Sequence, residues 1–275
     1  MQFFYPLQIN LKKKGNNIIS VGVNALSQLE AIEKFQKIEG LDKTICLIPE
    51  DRFRDEIEKG LSSTNIKLKK KYFYESDPTL LTKRIEKITK YDRRKQNLAD
   101  EIKRVEESDE FNKEKIIENL EKKDTLGKVN FDSVIISAFD ETLKSITTSL
   151  IYTDVTPKKT YFITLNQWFD ESLLNEDSSQ NLYFPSVNKK NFDEFKQEYF
   201  KKYSSEPNQI SLLGFDMVGL IFYLSKVNNF QLNNKIFDQK NTFKGKIGLF
   251  EIEDKRIKHV LNFYKVENNK FKKIF

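Results

Sequence analysis

Residues 44–48 read Thr-Ile-Cys-Leu-Ile, an unbroken apolar run that Pro49 closes. A short run without alternation suits a strand covered on both faces, as in a parallel sheet. Its flanks set the pattern. Ala25 to Glu39 carries Leu26, Leu29, Ile32, Phe35 and Ile38 at helical spacing, and Gly40 stands where helices end in the left-handed conformation. Downstream, a helix is expected from about Asp51 to Leu61 and a strand from Ile66 to Tyr74. Strand, helix and strand in that order call for a right-handed crossover between parallel strands. Residues 17–21 (Asn-Ile-Ile-Ser-Val) read as a short buried strand ahead of the first helix.

The rhythm is interrupted once. Asp77-Pro78 opens a long helix, with Asp77 as its cap and Pro78 at the first helical position. Its apolar stripe runs through Leu81, Ile85, Ile88, Tyr91, Leu98, Ile102 and Val105. A second amphipathic helix spans Asp109 to Glu121, with Phe111, Ile116, Ile117 and Leu120. Residues 78–125 therefore read as a helical hairpin inserted into the α/β order and standing off the sheet. The run Asp92-Arg93-Arg94-Lys95 could hold phosphate, but a charged outer face laced by i,i+4 pairs is the simpler reading.

The β-α order then resumes. Val134 to Ser137 is a strand, Glu141 to Leu150 a helix and Thr160 to Thr164 a strand. After Leu182-Tyr183-Phe184-Pro185 come helices at Asn191 to Tyr203 and Asn208 to Lys226, the second the most apolar in the chain. Strands at Lys246 to Ile252, His259 to Val266 and Phe271 to Phe275 end it, with turns at Glu253-Asp254 and Asn268-Asn269.

Composition narrows the function. Hydrophobic residues make up 38% and aromatics 13%, which supplies a packed core and excludes a disordered chain. The net charge of +6 comes mostly from Lys alternating with Asp and Glu, a solvated surface and not a nucleic-acid face. With one cysteine (Cys46) and one histidine (His259), no disulfide forms within the chain. Cys/His zinc sites and Ser-His-Asp or Cys-His catalysis are effectively excluded. Both residues read as core. No G-x-G-x-x-G, P-loop, G-x-S-x-G or H-E-x-x-H is present, so no enzyme, cofactor or metal is expected. No unbroken run reaches 18 apolar residues, so no transmembrane segment is expected. Met1-Gln2-Phe3-Phe4-Tyr5-Pro6 lacks the parts of a signal peptide, which places any export signal upstream of Met1.

Three groups of segments carry a family resemblance. Thr44 to Arg54 resembles the strand and loop that open the second lobe of type I periplasmic binding proteins, the leucine-binding-protein-like superfamily. Phe131 to Ala138, followed by a helix and then Tyr161 to Trp168, resembles two later strands of that lobe. Phe195 to Tyr223 resembles their paired helices, and Phe243 to Ile252 and Leu261 to Val266 their closing strands. The charged helix reading Tyr91-Asp-Arg-Arg-Lys-Gln-Asn-Leu98 is similar to one in the penicillin-binding-protein activator branch. The resemblance covers about residues 15–275, and its motifs are diffuse.

It implies a two-lobed α/β fold with Rossmann-like parallel sheets. The first lobe, incomplete, would take residues 1–40 and 176–256, and the second 41–175 and 257–275. About three βα units of the first lobe would precede this chain, as if the reading frame were truncated or started internally. Helix 208–226 would then lack part of its cover. The resemblance also implies a ligand in the cleft between lobes, at the carboxyl ends of the strands. Residue by residue, Phe53, Arg54, Ser137, Phe139, Asn166 and Trp168 fall on the second-lobe wall, and Ser20 and Asn24 on the first. Ordinary loop or core packing is the plainer alternative for each. A neutral Asn166, where amino-acid-binding relatives usually carry an acid, weakens the case for an α-ammonium ligand.

The implied function is a non-enzymatic periplasmic regulator that activates a peptidoglycan synthase, a penicillin-binding protein, through protein contacts. It could be anchored at the outer membrane by an upstream lipoprotein signal. The alternative is the substrate-binding protein of an ABC importer, working with a permease on amino acids or similar small polar solutes.

Overall fold

A computed structural model describes residues 20–230, 241–253 and 256–275. Strand β2 (Thr44–Pro49) is buried at every position and lies between β3 (Leu68–Tyr74) and β4 (Ser133–Ile136), parallel to both. Strand β5 (Tyr161–Thr164) continues the parallel set beside β4, and β6 (Leu182–Ser186) lies beside β5. Two antiparallel strands, β10 (Asn262–Glu267) and β11 (Lys270–Lys273), complete a seven-stranded sheet of order β11-β10-β6-β5-β4-β2-β3. Each fully buried side chain of β2, such as Ile45, Leu47 and Ile48, contributes roughly 1.5–3 kcal/mol of burial.

Helices cover this sheet. Helix α1 (Ala25–Glu39) has the bounds its periodicity predicts: Asn24 caps its start and Gly40, at φ 67°, ends it. Its Phe35 stacks on Phe263 of β10 at 4.4 Å. Helices α2 (Arg54–Ser62), α3 (Pro78–Thr89) and α6 (Asp140–Tyr152) are the crossovers. Asp77 caps α3 as expected, accepting from the amides of Thr79 and Leu80.

The long helix expected from Pro78 is two helices. Lys90 adopts the left-handed conformation (φ 55°), and its amide closes α3 onto Glu86 and Lys87. Leu81, Ile85 and Ile88 of α3 join the main core, so α3 is a regular crossover helix. Only α4 (Tyr91–Glu106) and α5 (Lys113–Glu121) form the added hairpin, which narrows the expected 78–125 insertion. Phe111, expected on the apolar stripe, is exposed.

A second, four-stranded sheet has the order β1-β9-β8-β7. It contains β1 (Ser20–Gly22), β7 (Asn241–Lys244), β8 (Leu249–Glu253) and β9 (Arg256–His259). Of the expected 17–21 strand, residues 17–19 lie outside the described residues, as does Asp254 of the expected Glu253-Asp254 turn. The expected strand 246–252 begins in the turn before β8 and is strand only from Leu249, and β7 ahead of it was not expected. The expected strand 259–266 breaks at Val260-Leu261, because β9 pairs in the small sheet and β10 in the large one. Asn268 and Asn269, both at positive φ, turn β10 into β11 as predicted. Strand β6 has no counterpart in the sequence reading.

The elements sort onto the sheets differently from the expected lobe boundaries. Helix α1 and strand β6, assigned by sequence to the first lobe, pack with the large sheet, and Ile257–His259 pairs in the small one. The chain passes between the two sheets three times, after β1, after β6 and after β9.

Helices α7 (Lys189–Tyr203) and α8 (Gln209–Val227) follow β6. One face of α8 buries Leu212, Leu213, Leu220 and Leu224. Its buried Asp216 accepts from the backbone amides of Lys246 and Ile247 in the β7–β8 turn. Gly245 is required there, since a Cβ would overlap the Asp216 carboxylate and the Phe250 ring. The opposite face, with Phe215, Val218 and Phe222, is exposed, as expected for a helix short of cover. By length and apolarity this helix could also cross a membrane. Counting unbroken apolar runs passes over it because Asp216 interrupts the run.

His259 in β9 is buried against Phe250, and its Nδ1 has no partner among the described residues. Burial pushes its pKa from 6.5 down to about 4. The unfolded chain therefore takes up this proton near pH 6.5 and the folded chain only near pH 4. Its contribution to stability is full above that window and falls with pH across it, by up to ~1.4 kcal/mol per pH unit. Replacing His259 with Phe should flatten the acid limb of stability measured by urea unfolding; an unchanged limb would show that His259 does not set it.

Candidate functional site

In β2 to β5 all strands run in parallel, so their carboxyl ends share one edge of the sheet. Each strand there hands over to a loop. After β2, Asp51 accepts the Phe53 amide at 2.8 Å, a tight turn that sets Phe53 at the start of α2. After β4 come Ser137, Ala138 and Phe139, and then Asp140 at φ 47°. After β5, Asn166 accepts the Trp168 amide at 2.8 Å, and Trp168 and Phe169 both stand at positive φ (50° and 56°). Left-handed backbone in non-glycine residues costs energy and tends to collect where a loop is shaped for a task.

Two cavities adjoin along this edge. The smaller, about 290 Å³, is lined by Asp51, Phe53, Tyr74, Ser137 and Phe139. The larger, about 490 Å³, is lined by Phe139, Asp140, Lys144, Asn166, Trp168 and Gln209. The segment 139–141 belongs to both. The wall is tied together by side chains. The Gln167 amide donates to the carbonyls of Ala138 (3.3 Å) and Leu165 (3.0 Å), locking the β4 loop to the β5 loop. Tyr74 donates its hydroxyl to the Ser137 carbonyl at 2.8 Å, and burial holds that phenol protonated well above its ordinary range. Gln28 of α1 accepts the Asn166 amide proton at 2.8 Å.

Two polar atoms at the larger cavity are left over. Asn166 is buried, its Oδ1 is committed to Trp168, and its Nδ2 has no partner among the described residues. Oε1 of Gln209, at the start of α8, is likewise buried and unpaired. A buried donor without a partner costs about 1–3 kcal/mol unless something fills the site. The rim is acidic: Asp140, Glu141 and Asp170 face one Lys144. Glu141 at 3.2 Å and Glu176 at 3.3 Å hold that lysine charged, raising its pKa. Phe139 and Trp168 supply aromatic surface beside these carboxylates.

Of the eight residues proposed from sequence, Phe53, Ser137, Phe139, Asn166 and Trp168 line the two cavities. Arg54 is turned away: its guanidinium stacks on Phe73 at 3.9 Å and pairs with Glu58 at 3.2 Å. Asn24 is occupied as the cap of α1. Ser20 lies in β1 opposite Arg256. The sequence reading did not include Tyr74, Asp140, Lys144 or Gln209. Tyr74 ends a parallel strand, a position that the carboxyl-end rule marks. Gln209 is brought in by the return of the chain from the small sheet, for which no local signal exists. Among the described residues no group of three or more His, Cys, Asp or Glu is placed to hold a metal ion. Cys46 is fully buried in β2, and burial pushes its thiol up to about 12.

No family model matches the sequence, and no curated protein does. Solved structures do. A branched-chain amino acid ABC transporter periplasmic ligand-binding protein from Burkholderia xenovorans superposes with a TM-score of 0.61 at 8% identity, over 95% of this chain and 65% of its own. An extracellular ligand binding receptor from Desulfohalobium retbaense gives 0.57 at 12% identity, over 95% of this chain and 41% of its own. The C-domain of LpoA from Haemophilus influenzae, a regulator of PBP1A, gives 0.50 at 11% identity, over 95% of this chain and 72% of its own. The chain has the fold of type I periplasmic binding proteins and spans 41% to 72% of the length of these three. These neighbours are described as binding and regulatory proteins.

The paired loops give a direct test. Asn166→Ala removes the acceptor that holds Trp168 in its left-handed turn. It should lower stability by about 1–3 kcal/mol in urea unfolding and shift Trp168 emission to the red. An unmoved emission maximum would show that the turn holds without Asn166.

Proposed function

We propose that this chain is the binding portion of a non-enzymatic, periplasmic two-lobed protein that regulates a peptidoglycan synthase through protein contacts. The observation that carries this reading is the α4–α5 hairpin. It is inserted where α3 hands back to β4, at the amino edge of the sheet. Crossover helices run back along parallel strands, so this edge lies opposite the cavities. A projecting element on the far edge serves no cleft ligand, but it offers a partner a separate surface. The LpoA C-domain, described as a regulator of PBP1A, shares the fold over 72% of its length.

Replacing residues 91–124 by a short Gly/Ser link tests this, with Lys95→Glu/Lys122→Glu as a milder surface variant. Both should cut binding to the synthase and its stimulation at least severalfold while the cavities stay intact. Full stimulation by both variants, each shown to be folded, would rule the hairpin out as the contact.

A second reading, a solute-binding protein of an ABC importer, is favoured by the larger cavity. An acidic rim, two aromatic rings and an unpaired Asn166 donor suit a small polar solute bearing a cationic group and an oxygen acceptor. Trp168, the sole tryptophan, lines that cavity and reports on it. Titration with amino acids and polyamines should give saturable changes in its emission, lost in Asn166→Ala. A flat response across such a panel would set the importer reading aside.

A further inference from the structure

We propose that the root of the α4–α5 hairpin is a binding site for a phosphate group, built by the first turn of α4 and the loop at residues 125–130. The two parts are fastened to each other. Leu126 donates its amide to the Arg94 carbonyl at 3.0 Å. Arg94 is buried, and its guanidinium donates to the carbonyls of Thr89 (3.1 Å) and Thr153 and to the Thr125 hydroxyl (3.1 Å). Gly127, at φ 109°, lets the loop pass close along Asn97. Between them lies a cavity of about 230 Å³.

Its charge is one-sided. Lys90, Arg93, Arg94 and Lys128 line it, and no carboxylate does. Elsewhere on this protein surface lysines and arginines commonly stand beside acids, as Lys122 does with Glu118 and Arg104 with Glu101. Lys90, Arg93 and Lys128 have no ion-pair partner among the described residues. Arg94 pairs with Asp154 at 3.9 Å, and that carboxylate is engaged by the Thr125 hydroxyl at 2.6 Å. Lys69 adds a further cation at the edge, donating to the Asn130 carbonyl at 2.7 Å.

The helix start adds to this. Helix α4 has 16 residues, and Lys90 at its N-cap supplies no side-chain acceptor. Its first amides therefore lack a side-chain cap, and Asp92 is the one acid in that turn. Like charges gathered around one small cavity repel each other, and a dianion there removes the repulsion while filling the amide and guanidinium donors. The volume suits a phosphate group with few further atoms and is below that of ordinary drug-sized pockets. The charged run Asp92-Arg93-Arg94-Lys95 is thereby divided: Arg94 fastens the hairpin root, and Arg93 faces the anion.

Inorganic phosphate is the first probe, with the full chain in thermal unfolding and isothermal titration against sodium chloride of equal ionic strength. Arg93→Gln/Lys128→Gln changes two exposed side chains and leaves Arg94 in place. Lys201→Gln/Lys202→Gln removes the same charge from α7 as a control. Phosphate should stabilise the wild type and the control, and the Arg93/Lys128 variant should bind at least about tenfold more weakly. Equal stabilisation by chloride, or equal phosphate binding by all three proteins, would overturn the proposal. Phosphatidylcholine vesicles with and without phosphatidic acid then separate the sources. Sedimentation with phosphatidic acid that free phosphate competes away assigns a lipid headgroup. Phosphate binding without sedimentation assigns a soluble phosphate.

Discussion

The burial of β2 on both faces organises this molecule. A strand flanked in parallel on both sides can only be reached through crossover connections, and those connections need helices on both faces of the sheet. With β2 between β3 and β4, helices α2 and α3 must run back along the strands, and every strand of the parallel set ends at the same edge. That edge collects the loops after β2, β3, β4 and β5, which is where both ligand-sized cavities lie. The opposite edge receives the returning ends of α3 and α6, and there Arg94 reaches from α4 to the carbonyl of Thr153 at the end of α6. The separation of the cavity edge from the hairpin edge thus follows from strand direction alone.

Sequence periodicity reports faces, and it works where one face is buried throughout an element. Helix α1 is legible to the residue because its apolar stripe, its Asn24 cap and its Gly40 stop agree. The stripe through Leu81, Ile85, Ile88 and Tyr91 gave no sign of the break at Lys90. A left-handed lysine does not interrupt apolar spacing, and the reversal is held by Arg94, four residues beyond it. Strand β6 was hidden for a related reason. Pro185 reads as an end of structure, yet it stands in the ladder opposite Phe263, in a pairing set by contacts some eighty residues apart. The division of 259–266 between two sheets is a tertiary event with no local signature.

The site shows the same limit at finer scale. Positions just past parallel strands are legible, and Phe53, Ser137, Phe139, Asn166 and Trp168 all reach the cavities. What a side chain does there depends on partners the sequence does not reveal. Arg54, one residue beyond Phe53, is drawn away by Phe73 and Glu58, and Asn166 is placed by Gln28 across 138 residues of sequence. The acidic rim at Asp140 and Glu141 escaped notice because Asp and Glu are scattered along the whole chain. Only their position at the start of α6, beside Asp170, gives them meaning.

The larger cavity also depends on an element that is held from one side. Gln209, the first residue of α8, brings the small-sheet part of the chain to the cavity wall. Helix α8 is secured by Asp216 on the amides of Lys246 and Ile247 and by Leu220 and Leu224 against Phe250, Ile252 and Ile257. Its outer face, with Phe215, Val218 and Phe222, is exposed, apart from an edge contact of Phe215 with Phe195 of α7 at 5.3 Å. An apolar face of that kind in water marks a contact surface. The Asp216 clamp through Gly245 fixes α8 against the β7–β8 turn, and with it the helix whose first residue, Gln209, lines the cavity.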